Sequence, residues 1–296
     1  MTFSPRTEGA NPRSKDLDLL TTEAMLRVMN DEDRRVPEAV AEVLPAIAAT
    51  VDAVAERLRK GGRYHLFGAG TSGRLAVLDA AECPPTFGTP ASLVVAHLAG
   101  GPEAMLLAAE GAEDDEALGR ADVTSAGIGP HDAVLAVAAS GRTPYAIGAL
   151  REARVRGAWT AALVCNRPTP MHAEADVVID PVVGEEVLSG STRLKSGTAQ
   201  KLVLNMVSTG AMIRIGRTYG NLMVGVQSTN VKLRARAARL VATIVGERSD
   251  IEAALASCGH DVRTACVMLR FGLSAADAAA RLDAADGSLR RVLDGK

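Results

Sequence analysis

The 296-residue sequence predicts an α/β fold: a parallel sheet flanked by helices, with N-terminal helices before it and a small C-terminal three-helix bundle after it. Three observations carry that expectation. Five short apolar runs, at 64–67, 92–99, 133–138, 160–165 and 177–179, are each followed within a few residues by Gly, Pro or Ser/Thr. Segments with helical spacing separate several of them. The runs are apolar throughout rather than alternating, as in strands covered on both faces by crossover helices.

Residues 1–20 are polar, carry Pro5 and Pro12, and form an arm that is either ordered against the core or loose. Thr21-Thr22-Glu23 is a capping sequence for a short helix reaching Asn30. Val40, Val43, Leu44, Ile47, Val51, Val54 and Leu58 recur at threes and fours, so one helix is expected from Val36 to Lys60, stopped by Gly61-Gly62. Beyond the strands the pattern is helical again over 198–213 and 222–245. Three short helices, 251–257, 262–269 and 275–282, follow and are joined by Gly259, Gly272 and Gly287. The expected organisation is an N-terminal arm with helices (1–60), a core with its following helices (61–246) and a small helical domain (247–296).

Composition narrows the function. With 33 basic and 35 acidic residues the net charge is −2, and no long basic run offers a footprint for nucleic acid or an anionic membrane surface. Aromatic residues are only 3%, so a bound sugar would be held by hydrogen bonds rather than by stacking. The apolar runs are strand-sized and the start lacks the basic-then-apolar plan of a signal peptide. Cys83, Cys165, Cys258 and Cys266 are far apart and form no CxxC, as expected for reduced thiols in a cytoplasmic protein. The five histidines show no metal-ligand spacing, and no metal cofactor is expected.

Gly68-Ala69-Gly70-Thr71-Ser72-Gly73-Arg74 follows the first strand and opens a helix. Its glycine spacing matches a dinucleotide fingerprint, but the second strand ends His97-Leu98-Ala99-Gly100-Gly101, without the acidic residue that would hold a ribose. The remaining readings are a phosphate cradle with Thr71 and Ser72 at a positive helix end, or a capped tight turn. Ser140-Gly141-Arg142-Thr143-Pro144, after the third strand, repeats the chemistry with Ser140, Gly141 and Thr143. Both loops fall at the C-terminal ends of parallel strands, where such sheets bind ligands. A third stretch, 189–195, offers Ser191 and Lys195 before a long helix, again either as ligand groups or as a helix cap with solvated cations.

Carboxylates supply the candidate acid–base chemistry. Glu82 lies in Ala81-Glu82-Cys83-Pro84-Pro85-Thr86, where the prolines are expected to end the helix, so the negative helix end would favour a protonated acid. Cys83 beside it has no nearby His to activate it and is read as structural. Glu110-Gly111-Ala112-Glu113-Asp114-Asp115-Glu116 is an acidic cluster in which mutual repulsion can hold one group neutral, or merely a solvated face. Glu185-Glu186 is a third candidate.

These stretches, together with Thr7-Glu8-Gly9, Asn30-Asp31-Glu32-Asp33, residues 197–206 and Thr229-Asn230-Val231-Lys232, resemble the N-acetylmuramic acid 6-phosphate etherase family, in unbroken order over nearly the whole chain. The resemblance implies a phosphosugar fold of the sugar isomerase (SIS) type and a carbon–oxygen lyase of cell-wall amino sugar recycling. It also implies a cytoplasmic homodimer using neither metal nor nucleotide, a phosphosugar substrate, and a ubiquitin-associated-type bundle at the tail. By similarity Glu82 is the acid for departing lactate and Glu113 the second catalytic carboxylate. In the ring-opened sugar the C1 aldehyde acidifies the C2 proton, so a base at C2 expels the C3 oxygen, and water then adds at C3. One group gives a proton while the other takes one, which requires unequal pKa values. Two rivals keep the fold: a phosphosugar isomerase, which leaves the ether intact, and a non-catalytic sugar-phosphate sensor.

Overall fold

The computed structural model describes residues 6–107, 109, 111–226 and 230–295. Glu110 of the acidic motif and Thr229 of the Thr-Asn-Val-Lys motif lie outside the described residues. The chain forms two compact units, one of Met1–Ala80 with Val94–Ser208, the other of Ala81–Leu93 with Thr209–Lys296. The 246/247 boundary expected from sequence falls inside the second unit.

In the first unit the five expected strands are β1 (Tyr64–Gly68), β2 (Val94–Leu98), β3 (Ala133–Val137), β4 (Trp159–Leu163) and β5 (Val177–Ile179). They form one parallel sheet in the order β2-β1-β3-β4-β5. β1 and β3 are buried along their whole length, which explains why their sequences do not alternate. Helices α1 (Thr22–Asp33), α2 (Arg35–Glu42) and α3 (Leu44–Arg59) precede the sheet, and α5 (Glu116–Ser125) and α6 (Pro144–Val155) lie among its crossovers. Phe67, Val134, Ala136, Tyr145, Leu150 and Val164 belong to one buried cluster.

The helix expected over 36–60 is two helices. Pro45 stands at the start of α3, and a proline there lacks the N–H and crowds the carbonyl of residue 41, so the chain breaks at Val43. The arm is ordered: Thr7 and Asn11 are buried, and Asn166, just beyond β4, accepts from the Thr7 N–H at 3.3 Å and donates to its hydroxyl at 3.0 Å.

Helix α4 (Gly70–Phe87) continues through Pro84 and Pro85, so the helix does not end at Glu82 as expected. Two prolines remove two backbone bonds, yet the next turn still closes, with Gly88 N–H donating to the Pro84 carbonyl at 2.9 Å. Helix α7 (Lys195–Arg214) follows the sheet. The second unit contains α8 (Val231–Val245), α9 (Ile251–Ser257), α10 (Val262–Phe271), α11 (Ala275–Asp283) and a fourth short tail helix, α12 (Leu289–Asp294). Helix α8 starts nine residues later than expected, because Asn230 caps it by accepting from the Leu233 N–H at 2.9 Å. Val241, Leu255, Val267, Leu282 and Leu289 share the core of this unit.

Candidate active site

The sheet order places β1 between β2 and β3, so the crossovers diverge at the β1/β3 pair, and the C-terminal ends of those two strands open a crevice. Gly68 of β1 is paired in register with Val137 of β3. The two hydroxyl-rich loops therefore stand side by side, one leading into α4 and the other into α6. Gly73 lets the first loop fold back on its strand: a Cβ there would come within 2.4 Å of the Gly68 carbonyl oxygen and of Leu98. Gly141, with φ of +66°, turns the second loop against Thr169, where a Cβ would again meet atoms at 2.4 Å.

Hydroxyls in these loops have different local duties. Ser72 is buried and donates to Gln200 Oε1 of α7 at 3.0 Å. Thr71 has its methyl 3.6 Å from where a Gly197 Cβ would sit. Ser140 Oγ accepts from the Arg142 N–H at 3.2 Å. Thr143 occupies the N-cap of α6, but its side chain makes no capping bond, so the capping reading fails for that residue.

Glu113 sits in a short 3-10 turn, Ala112–Asp114, entered through Gly111 at φ of +78°. It lines a cleft of about 220 Å³ with Ala69 and Gly70 of the first loop, Arg74, Ala99 and Ala104. The rest of the described acidic cluster separates from it. Asp115 caps α5 by accepting from the Leu118 N–H at 2.9 Å. Glu116 is bonded by Arg120 and then Arg151, which hold it below the ordinary carboxylate range. Mutual repulsion therefore does not raise Glu116; only Glu113 of the described cluster lines the cleft.

The third loop is organised differently. Glu186, fully buried, accepts from the backbone N–H groups of Lys195 and Ser196 and from the Ser196 hydroxyl, each at 2.9 Å. The N-terminus of α7 thus already holds an internal anion. The Lys195 side chain is 1% exposed and its Nζ donates to Glu32 Oε2 at 2.6 Å, and Asn11 Nδ2 donates to the same oxygen at 2.9 Å. Burial pushes the Glu32 carboxyl up, but Lys195, Asn11 and Arg13 outweigh it and hold the group below its usual range. Lys195 is therefore a buried partner of Glu32 and not an open ligand group, a correction to its reading from sequence. Ser191 is half-buried in the turn before α7.

One buried acid escaped notice in the sequence. Asp79 of α4 accepts from Ser208 Oγ at 2.9 Å, and burial pushes its pKa up to about 6 despite that bond and the nearby Lys201. Its apolar neighbours in sequence gave no sign of it. Glu82 belongs to the second unit, on the exposed side of α4 one residue before the buried Cys83. Among the described residues no cluster of three or more His, Cys, Asp or Glu is arranged to hold a metal ion, and no helix is long and apolar enough to cross a membrane.

Residues 46–154 match the family model of the glucokinase regulatory protein N-terminal SIS domain. A phosphoheptose isomerase from Francisella tularensis superimposes with a TM-score of 0.53 at 18% identity, over 66% of this chain and 100% of that one. A phosphoheptose isomerase from Neisseria gonorrhoeae gives 0.51 at 17%, over 64% and 98%. These similarities establish an SIS-type fold. N-acetylmuramic acid 6-phosphate etherase of Serratia proteamaculans is 56% identical over 288 residues, 97% of each chain. That of Yersinia pestis is 54% identical over 97% of this chain and 98% of its own. Identity above half over 97% of the chain settles the lineage: the chain belongs to the N-acetylmuramic acid 6-phosphate etherase family.

Proposed function

We infer that this chain is a carbon–oxygen lyase that cleaves the D-lactyl ether of N-acetylmuramic acid 6-phosphate, giving N-acetylglucosamine 6-phosphate and D-lactate. The carrying observation is the cleft in which Glu113 faces the start of α4, beside a crevice whose two loops suit a sugar phosphate. The phosphate is gripped by Thr71, Ser72, Ser140, Thr143 and the amides around Gly141, with Ser191 at the margin. Binding there is remote from the reacting carbons and is used to hold them in place.

Glu113 takes the C2 proton of the ring-opened sugar. The electron pair forms the C2–C3 double bond as the C3–oxygen bond breaks, and Glu82 protonates the departing lactate oxygen. Water then adds to C3 and a proton returns to C2, so one water is consumed per ether cleaved. Each of the two proton transfers is worth roughly 100- to 10,000-fold in rate. No step calls on a metal or a nucleotide.

The enzyme works in cell-wall amino sugar recycling in the cytoplasm, as a homodimer. The free cysteines fit a reducing compartment. Leu19, Leu26, Leu44 and Leu106 of the first unit are exposed apolar side chains that a second copy would cover. A monomeric mass at micromolar concentration rejects the dimer. The reaction is tested by incubating pure protein with N-acetylmuramic acid 6-phosphate and assaying D-lactate. A phosphosugar isomerase or a sensor would release none.

A further inference from the structure

We propose that Arg74 is the specificity-determining residue of this cleft and that it recognises the carboxylate of the lactyl group. The inference rests on the reaction proposed above and adds a binding partner for the half of the substrate that leaves. Arg74 shares the cleft with Glu113 and is the one cation among the described residues that line it. Without it the cleft would present Glu113 alone to a substrate bearing a phosphate and a carboxylate, and the encounter would be repulsive.

The guanidinium is held in place but its charge is not cancelled. Nε donates to the Met105 carbonyl at 3.1 Å and Nη2 to the Leu107 carbonyl at 3.4 Å, both neutral acceptors. These two bonds tie it to the 3-10 turn Pro102–Met105 and its exit, one wall of the cleft. Of the five N–H donors an arginine carries, these bonds take two, which leaves a fork for a carboxylate. Among the described residues no acidic side chain forms an ion pair with Arg74.

Substrate chemistry places the lactyl group within reach. Glu113 acts at C2, and the ether oxygen is on C3, the adjoining carbon. A lactyl group on that oxygen must therefore lie close to Glu113, inside the cleft Arg74 lines. The phosphate, at C6, has the separate hydroxyl-rich loops at the ends of β1 and β3. As the C3–oxygen bond breaks, negative charge grows on the lactate oxygen while its carboxylate stays ionised, so a fixed cation beside the leaving group favours departure.

The test compares N-acetylmuramic acid 6-phosphate with its analogue carrying a primary amide in place of the lactyl carboxylate. The full chain is expected to prefer the acid by roughly 10- to 150-fold in kcat/KM, the range for one charge-assisted contact. Arg74→Gln should bring the acid-to-amide ratio near one, and Arg74→Lys should retain part of it. Inhibition by N-acetylglucosamine 6-phosphate, which has no lactyl group, should stay within about threefold of wild type in both variants, which also reports an intact fold. An Arg74→Gln chain that loses acid and amide alike and keeps the ratio overturns the proposal and reduces Arg74 to a brace for the 102–107 turn. A wild-type chain releasing neither lactate from the acid nor lactamide from the amide rejects the proposed reaction instead, and the ratio of the two dissociation constants then decides the role of Arg74.

Discussion

Replacing Lys195 by methionine separates a buried structural cation from a ligand group. The substitution keeps the length of the side chain and removes the ammonium from Glu32, leaving a carboxylate whose side chain is 2% exposed. Breaking a buried pair by deleting one partner costs about 3 to 5 kcal/mol. Here Asn11 remains at 2.9 Å and Arg13 at 3.2 Å, so the lower end applies, about 3 kcal/mol. Urea unfolding at pH 7 measures it, and with m of roughly 2 kcal/mol/M the midpoint should fall by about 1.5 M. Glu32→Gln in the same chain should recover part of the loss, since the stranded charge is gone. The pH dependence has a defined sign. Glu32 titrates lower in the folded chain than its ordinary 4.5, so its contribution is present above that value and is lost as pH falls through the lower folded pKa. The gap between wild type and variant should therefore narrow in acid. A Lys195→Met chain within about 0.5 kcal/mol of wild type, with KM raised tenfold or more, would refute this reasoning and return Lys195 to the substrate.

Ser140→Ala should cost on the order of 1.5 to 3 kcal/mol in kcat/KM if the hydroxyl contacts phosphate, and wild-type kinetics would confine Ser140 to its bond with Arg142. Gly73→Ala forces the first loop away from the Gly68 carbonyl, so turnover should drop at least about tenfold while the circular dichroism stays helical; unchanged turnover would mean the loop's close return is dispensable. Asp79→Asn removes an acid whose pKa moves from 3.8 to about 6 on folding, a change of about 3 kcal/mol. Folding then binds the proton more tightly, so wild-type stability should decline relative to the variant as pH rises from about 4 to 7. Parallel stability–pH curves would contradict it.

The sheet was readable because strands buried on both faces cannot hide in a helical period: all five runs overlap strands whose ends differ by at most a few residues. Helix ends were harder. Pro45 splits a helix whose apolar spacing runs on uninterrupted, whereas Pro84-Pro85 leave theirs intact, and local pattern does not distinguish the two outcomes. At the site, the two hydroxyl loops were legible from their position after strands, and the strand order explains why they meet. Lys195 was not, because its partner Glu32 is 163 residues away and only the fold brings them together. The same holds for Glu186: a carboxylate nine residues before Lys195 shows itself as a cap only when the intervening turn closes.

The elimination at C2 is tested most directly by the isotopes it leaves behind. Turnover in deuterated, oxygen-18 water should place deuterium on C2 and heavy oxygen on C3 of N-acetylglucosamine 6-phosphate, while lactate keeps its original ether oxygen. Direct displacement at C3 would also label the sugar oxygen, so the deuterium decides. Glu82→Gln should still exchange the C2 proton with solvent while releasing lactate roughly 100- to 10,000-fold more slowly, and Glu113→Gln should lose both. Lactate release at the full wild-type rate with only ordinary hydrogen at C2 would contradict the elimination and the role of Glu113 in it.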